Sequence, residues 1–196
     1  MYLSTKLTAF ACIDAGITTV IDACHSSRSP AHTDAALDAL DDSGIRALHM
    51  LGAAMDKKAS STHLQGDLKR LASIWNQGDG LVRVGLFGQL NIDWWRVARD
   101  LDMRILTEFI GDLAKLGPEF DEPGLLGPRN IFNHCTRVPE ETWQRFARAG
   151  VNITVNPRSD ALFGFDDDGF AFQQALDYGL SPALGIDLDT AFGSDC

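Results

Sequence analysis

A chain of 196 residues, 45% of them hydrophobic, can bury one good core, yet it falls short of the roughly 250 residues of a complete (β/α)8 barrel. Its formal net charge of −10 repels a phosphate backbone or an anionic bilayer, which argues against nucleic-acid and membrane partners. Four cysteines without CxxC spacing (Cys12, Cys24, Cys135, Cys196), no signal peptide and no apolar run of about 18 residues together predict a reduced, soluble, cytoplasmic protein of one domain.

The chain repeats a short apolar run, a loop and an amphipathic stretch. Residues 3–15 read as a helix that feeds a β-branched strand over 17–21 (ITTVI), with Gly16 suited to the helix end. A helix over 32–43 follows, closed by Gly44, and then a strand over 45–50 (IRALHM). Residues 64–75 carry Leu64, Leu68, Leu71, Ala72 and Trp75 on one helical stripe. A strand over 81–87 (LVRVGLF), a helix over 94–101 (WWRVARDL), a strand over 103–109 (MRILTEF) and a helix over 111–116 come next. Gly and Pro make 118–128 a loop. The strand over 130–133 stops at His134, and the helix over 139–149 has Pro near its first turn and Gly150 just past its end. A strand over 151–155 (VNITV), a helix over 170–178 stopped by Gly179, and a strand over 181–186 (SPALGI) complete the pattern.

Seven strands alternating with helices, rich in Val, Ile and Leu, predict parallel α/β architecture with strands covered on both faces. Periodicity leaves two arrangements open: a (β/α) barrel lacking one unit, or a doubly wound open sheet.

In a barrel the chemistry gathers at the C-terminal strand ends. Those ends carry Asp22 and His25, His49 and Asp56, Gln89 and Asn91, Thr107 and Glu108, His134, Asn156 and Arg158, and Asp187 and Asp189. Glu108, His134 and Asp187 stand out, because carboxylate and imidazole serve either as zinc or iron ligands or as general acid and base. The bland readings are a His134 held by a backbone carbonyl, an Asp187 that caps a turn, and a Glu108 paired with Arg104 or Arg158. Asp166-Asp167-Asp168-Gly169 lacks the spacing and terminal Glu of a calcium loop and reads as a solvated turn. The chain contains neither GxGxxG nor GK[ST], and Ser26-Ser27 beside His25 is too little for a serine nucleophile.

Three segments, GITTVIDACHSS with TDAALDALDDSGIRA, NIFNHCTRVPEETWQRFARAGVNITVNP, and SPALGIDLDTAFGSD, resemble the second, sixth to seventh and eighth units of the amidohydrolase superfamily. The resemblance is to its cytosine deaminase and chlorohydrolase branch. It implies a TIM-like parallel (β/α) barrel, incomplete here: seven strands, without the first strand and last helix. It also implies hydrolysis of a C–N bond in a small organic substrate by a water activated on zinc or iron. His134 matches the sixth-strand histidine and Asp187 the eighth-strand aspartate, the two residues that would touch a metal if one is present. His25, Gln89, Asn156 and Arg158 are the expected substrate-binding residues.

The departures are as informative. No HxH motif occurs, Glu108 stands where the fifth strand should end in a metal-binding histidine, and Asp112 is only a loose match for the family's glutamate. The expectation is therefore a degenerate metal site, with no cofactor and altered acid/base chemistry on His134, Glu108 and Asp187. The alternative is a non-catalytic scaffold or binding protein that forms a homo-oligomer by covering its open barrel edges, with 3–13 and WWRVARDL as candidate contacts, although Trp94-Trp95 read more readily as ordinary core and rim. A fragment without function of its own is the third possibility.

Overall fold

The computed structural model describes residues 1–54, 63–111, 115–165 and 171–187. Asp56, Asp112, the expected DDDG turn at 166–169, Asp189 and Cys196 lie outside them, as do residues 112–114 of the expected helix over 111–116. The chain divides into two compact units, Met1–Gly88 with Val97–Ile105, and Gln89–Arg96 with Leu106–Cys196.

The first unit contains α1 (Tyr2–Asp14), β1 (Thr19–Ser27), α2 (Pro30–Ser43), β2 (Arg46–Ala53), α3 (Leu64–Trp75) and β3 (Val82–Phe87). Helix α4 (Ile92–Asp100) begins in the second unit and ends in the first. Gly16 closes α1 in the left-handed region, and the Ile17 amide donates back to Cys12 at 2.8 Å, so the chain turns at once into β1. Strands β1, β2 and β3 pair in parallel and in chain order, Asp22 opposite His49 and His49 opposite Val84. Leu37, Leu40, Leu51, Leu64, Leu68, Leu71 and Leu86 fill this core. Gly85 has to be glycine there: a Cβ would meet Met50 Sδ at 2.7 Å and the Arg104 carbonyl at 2.9 Å.

The second unit contains β4 (Ile105–Ile110), a 3-10 turn (Pro118–Asp121), β5 (Asn130–Thr136), α5 (Glu140–Ala149), β6 (Asn152–Val155), α6 (Pro157–Phe163), α7 (Ala171–Asp177) and β7 (Ala183–Leu184). Its strands also follow chain order, and β5, β6 and β7 pair in parallel. Neither unit has the reversal of strand order that marks a doubly wound sheet. The core is aromatic. Phe132 stacks on Phe146 at 4.2 Å between centroids and meets Phe109 edge-on at 5.4 Å, while Trp95 packs edge-on against Phe120 at 4.7 Å.

Several expectations shift in detail. Strand β1 runs on to Ser27 and β5 to Thr136, so His134 sits inside its strand rather than after it. Part of the expected loop over 118–128 is a 3-10 turn, and α6 forms where no helix was foreseen. The final strand is two exposed residues instead of six. Of WWRVARDL, Trp95 is fully buried, which removes it as a contact for a second chain. Cys12, Cys24 and Cys135 are buried thiols that form no disulfide among the described residues. Among the described residues no helix is long and apolar enough to cross a membrane.

Candidate active site

His134 lies near the C-terminal end of β5, and every residue of that strand is buried. Its Nδ1 is 2.7 Å from Oδ1 of Asp160, and the two side chains are 5% and 4% exposed. Asp160 stands in the first turn of α6, and its other oxygen, Oδ2, accepts the Asn156 amide at 3.3 Å. Asn156 Nδ2 donates to Asn133 Oδ1 at 3.0 Å, and Thr154 Oγ1 donates to the same oxygen at 2.6 Å. Asn156 Nδ2 also comes within 3.3 Å of His134 Nδ1. A proton on Nδ1 directed at Asp160 leaves no lone pair there, so this approach is a contact and the amide belongs to Asn133. Gly185 is the second glycine that geometry demands, since a Cβ would collide with Asn156 Oδ1.

Burial pulls the His134 pKa down. The hydrogen bond and charge of Asp160 overcome that pull, aided by the charges of Asp187 and Glu108, and the imidazole is held above its ordinary value. All three residues singled out in the sequence thus act in one electrostatic field. Glu108 is half-buried and takes a long hydrogen bond, 3.4 Å, from Gln89 Nε2. The Gln89 carbonyl in turn accepts Trp95 Nε1 at 2.6 Å and Thr107 Oγ1 at 3.3 Å, which fixes the loop after β3. Asp187 is exposed. Gln89, His134 and Asp187 all have left-handed backbone, with φ of 45°, 66° and 59°, and Cys135 follows His134 at 56°. Such conformations are uncommon outside glycine and cluster at functional sites.

Of the expected substrate-binding residues, Gln89 is exposed beside Glu108, Arg158 is exposed on α6, and Asn156 is a buried cross-link. His25 belongs to the first unit, where its ring lies 4.1 Å from that of Phe87. The Cys135 thiol is pushed well up by complete burial, with Asp160 adding to it, so it is no nucleophile. Sequence reading missed Asp160 and Asn133. The available signal was the Pro157–Asp160 turn directly after β6, a proline and an acid of the kind that open a helix.

No family model matches the chain, and no curated protein matches it in sequence. Solved structures do match in fold. Atrazine chlorohydrolase from Arthrobacter aurescens TC1, complexed with zinc, superposes with a TM-score of 0.75 at 19% identity, over 97% of this chain and 50% of that one. Guanine deaminase from C. acetobutylicum with bound guanine gives 0.79 at 15% identity, over 99% and 53%. Guanine deaminase from E. coli gives 0.73 at 18%, over 98% and 50%. The chain has the fold of these enzymes. It is parallel α/β, an incomplete TIM-like barrel, and spans about half the length of the structures it matches.

Zinc accompanies one of those enzymes. Among the described residues no three His, Cys, Asp or Glu side chains gather as ligands around one ion. These residues do not fit a catalytic zinc held by three protein ligands.

Proposed function

We propose that the chain carries an amidohydrolase-type activity, hydrolysis of a C–N bond in a small organic molecule, run by acid/base groups of its own. The observation that carries this reading is the buried His134–Asp160 pair, 2.7 Å apart, in a fold shared with a chlorohydrolase and two deaminases; Asp160, aided by the charges of Asp187 and Glu108, holds the imidazole above its ordinary pKa. An imidazolium that persists to higher pH suits a proton donor to a leaving nitrogen. Glu108, or Asp187 in its stead, accepts a proton from water as the water oxygen bonds to the carbon. The C–N bond breaks, and the nitrogen leaves with the proton from His134. One water is consumed and one amine or ammonia released. Gln89 donates to Glu108 and, with Arg158 of the same unit, is a candidate for contacting the substrate.

The test is ammonia release from guanine and aminotriazines by the purified chain and by His134→Asn, with and without chelator. The expected result is a fall of about 100-fold or more in the variant, the scale of general acid–base catalysis, with unchanged circular dichroism and indifference to chelator. A folded variant that keeps its rate would sink the role of His134. Activity that chelator removes and zinc restores would replace the acid/base reading by a metal-dependent one.

A second reading, a scaffold that pairs with another copy, is favoured by α1. Leu3, Leu7, Phe10 and Ile13 on that helix are 80%, 72%, 48% and 41% exposed. An apolar stripe of that extent is unusual on a free surface.

A further inference from the structure

We infer that Asp160 is the positioning residue of this site: it fixes His134 in the Nδ1–H tautomer and in one ring orientation, leaving Nε2 as the nitrogen that meets a substrate. The inference rests on His134 being the acid/base group proposed above. The geometry supports it in three ways.

First, the carboxylate cannot swing away. One oxygen accepts Nδ1–H at 2.7 Å and the other the Asn156 amide at 3.3 Å, so Asp160 ties β5 to the junction of β6 and α6. Helix α6 holds the backbone of the same residue: the Asp160 amide donates to the Asn156 carbonyl at 2.9 Å, and its carbonyl accepts Phe165 at 2.8 Å. Second, among the described residues no other acceptor meets Nδ1, since the Asn156 side-chain nitrogen 3.3 Å away is a donor. The neighbouring Asn156 amide is turned to Asn133, and the edge-on ring of Phe165, 6.5 Å away, offers no acceptor. Third, Asp160 is itself 4% exposed, which leaves it no surface for a substrate, so it acts only through His134. The left-handed backbone at His134 and Cys135 gives such a tie something to hold, because an unsupported chain would relax out of it. A carboxylate that sets the tautomer of a catalytic imidazole is a general solution to the problem of two inequivalent ring nitrogens.

The experiment uses the full chain labelled with 15N-histidine. Two-bond proton–nitrogen spectra report which ring nitrogen of His134 carries the proton once the imidazole is neutral. The expected result is Nδ1–H in the wild type, retained in Asp160→Asn through its amide oxygen and lost to Nε2–H in Asp160→Ala. A wild-type Nε2–H tautomer would overturn the inference, and this measurement stands even where a variant fails to fold. With guanine or an aminotriazine as substrate, kcat should fall by about tenfold or more in Asp160→Ala at unchanged KM, the roughly 10⁴-fold loss of a triad aspartate being the upper end, with Asp160→Asn between. A merely structural carboxylate would lower the unfolding midpoint and leave tautomer and kcat alone, which also overturns it. The two proposals fail separately. A wrong tautomer with an inactive His134→Asn removes Asp160 and keeps the reading of His134. An active His134→Asn removes that reading, whatever the tautomer.

Discussion

His49 in the first unit shows how a single buried bond ties folding to pH. Its side chain is 0% exposed, and Nδ1 lies 2.7 Å from Asp22 Oδ2. Burial disfavours the cation most strongly, but the hydrogen bonds and charges of Asp22 and Cys24 win, and the pKa is raised from 6.5 to about 10. Because the folded value lies above the unfolded one, the pair's stabilisation is complete below about pH 6.5 and is lost as pH climbs towards 10. Among the described residues the Nε2 of His49 is buried without a hydrogen-bond partner, which offsets part of that gain. Urea unfolding at pH 6 and pH 9 should therefore show a loss of about 1 kcal/mol or more that is absent in His49→Gln. Equal slopes in the two proteins would refute the pairing. At this scale the sequence was half legible. His134, Glu108 and Asp187 were readable as polar residues ending apolar runs. The Asp22–His49 partnership depends on the register of β1 against β2, which no residue pattern states. Asp160 was hidden because it reaches His134 from a different element, 26 residues along the chain.

Among elements, β5 links the aromatic core of the second unit to its candidate site. Phe132 is fully buried, stacked on Phe146 and edge-on to Phe109, and two residues further along the same strand is His134. Phe132→Ala should cost about 3–5 kcal/mol, while Phe132→Leu should cost far less by keeping most of the volume. Denaturant midpoints measure this, and a cost under about 1 kcal/mol for the alanine variant would mean that the aromatic cluster does not hold the strand. The longer elements were legible: α3 matches its expected span over 64–75, and β2 and β3 differ only at their ends. Helix α6 was not, because seven residues give fewer than two full turns of apolar period to detect. Strand β7 was over-read, since SPALGI is apolar enough for a strand but only Ala183 and Leu184 find a partner, in β6.

For the molecule as a whole, alternation of strand and helix made the α/β class legible, while the choice between barrel and doubly wound sheet needed the strand order. Association is the property that sequence alone left most open. Helix α1 packs on α2, where Lys6 reaches Asp42 at 3.4 Å, and turns Leu3, Leu7, Phe10 and Ile13 outward at intervals of four, three and three. That spacing keeps them on one helical face. A net charge of −10 opposes pairing of identical chains, and salt screens that repulsion without weakening apolar burial. If the scaffold reading holds, the mass in solution should rise with protein concentration, and the rise should be larger at about 0.5 M salt, where the screening length is only a few ångströms. Leu7→Lys with Phe10→Lys should then stay monomeric at both salt levels, with unchanged circular dichroism because both side chains point outward. Sedimentation equilibrium decides it. A wild-type chain that stays monomeric at high salt would end the second reading, whereas a dimer that weakens with salt would mean that charged groups, not α1, make the contact.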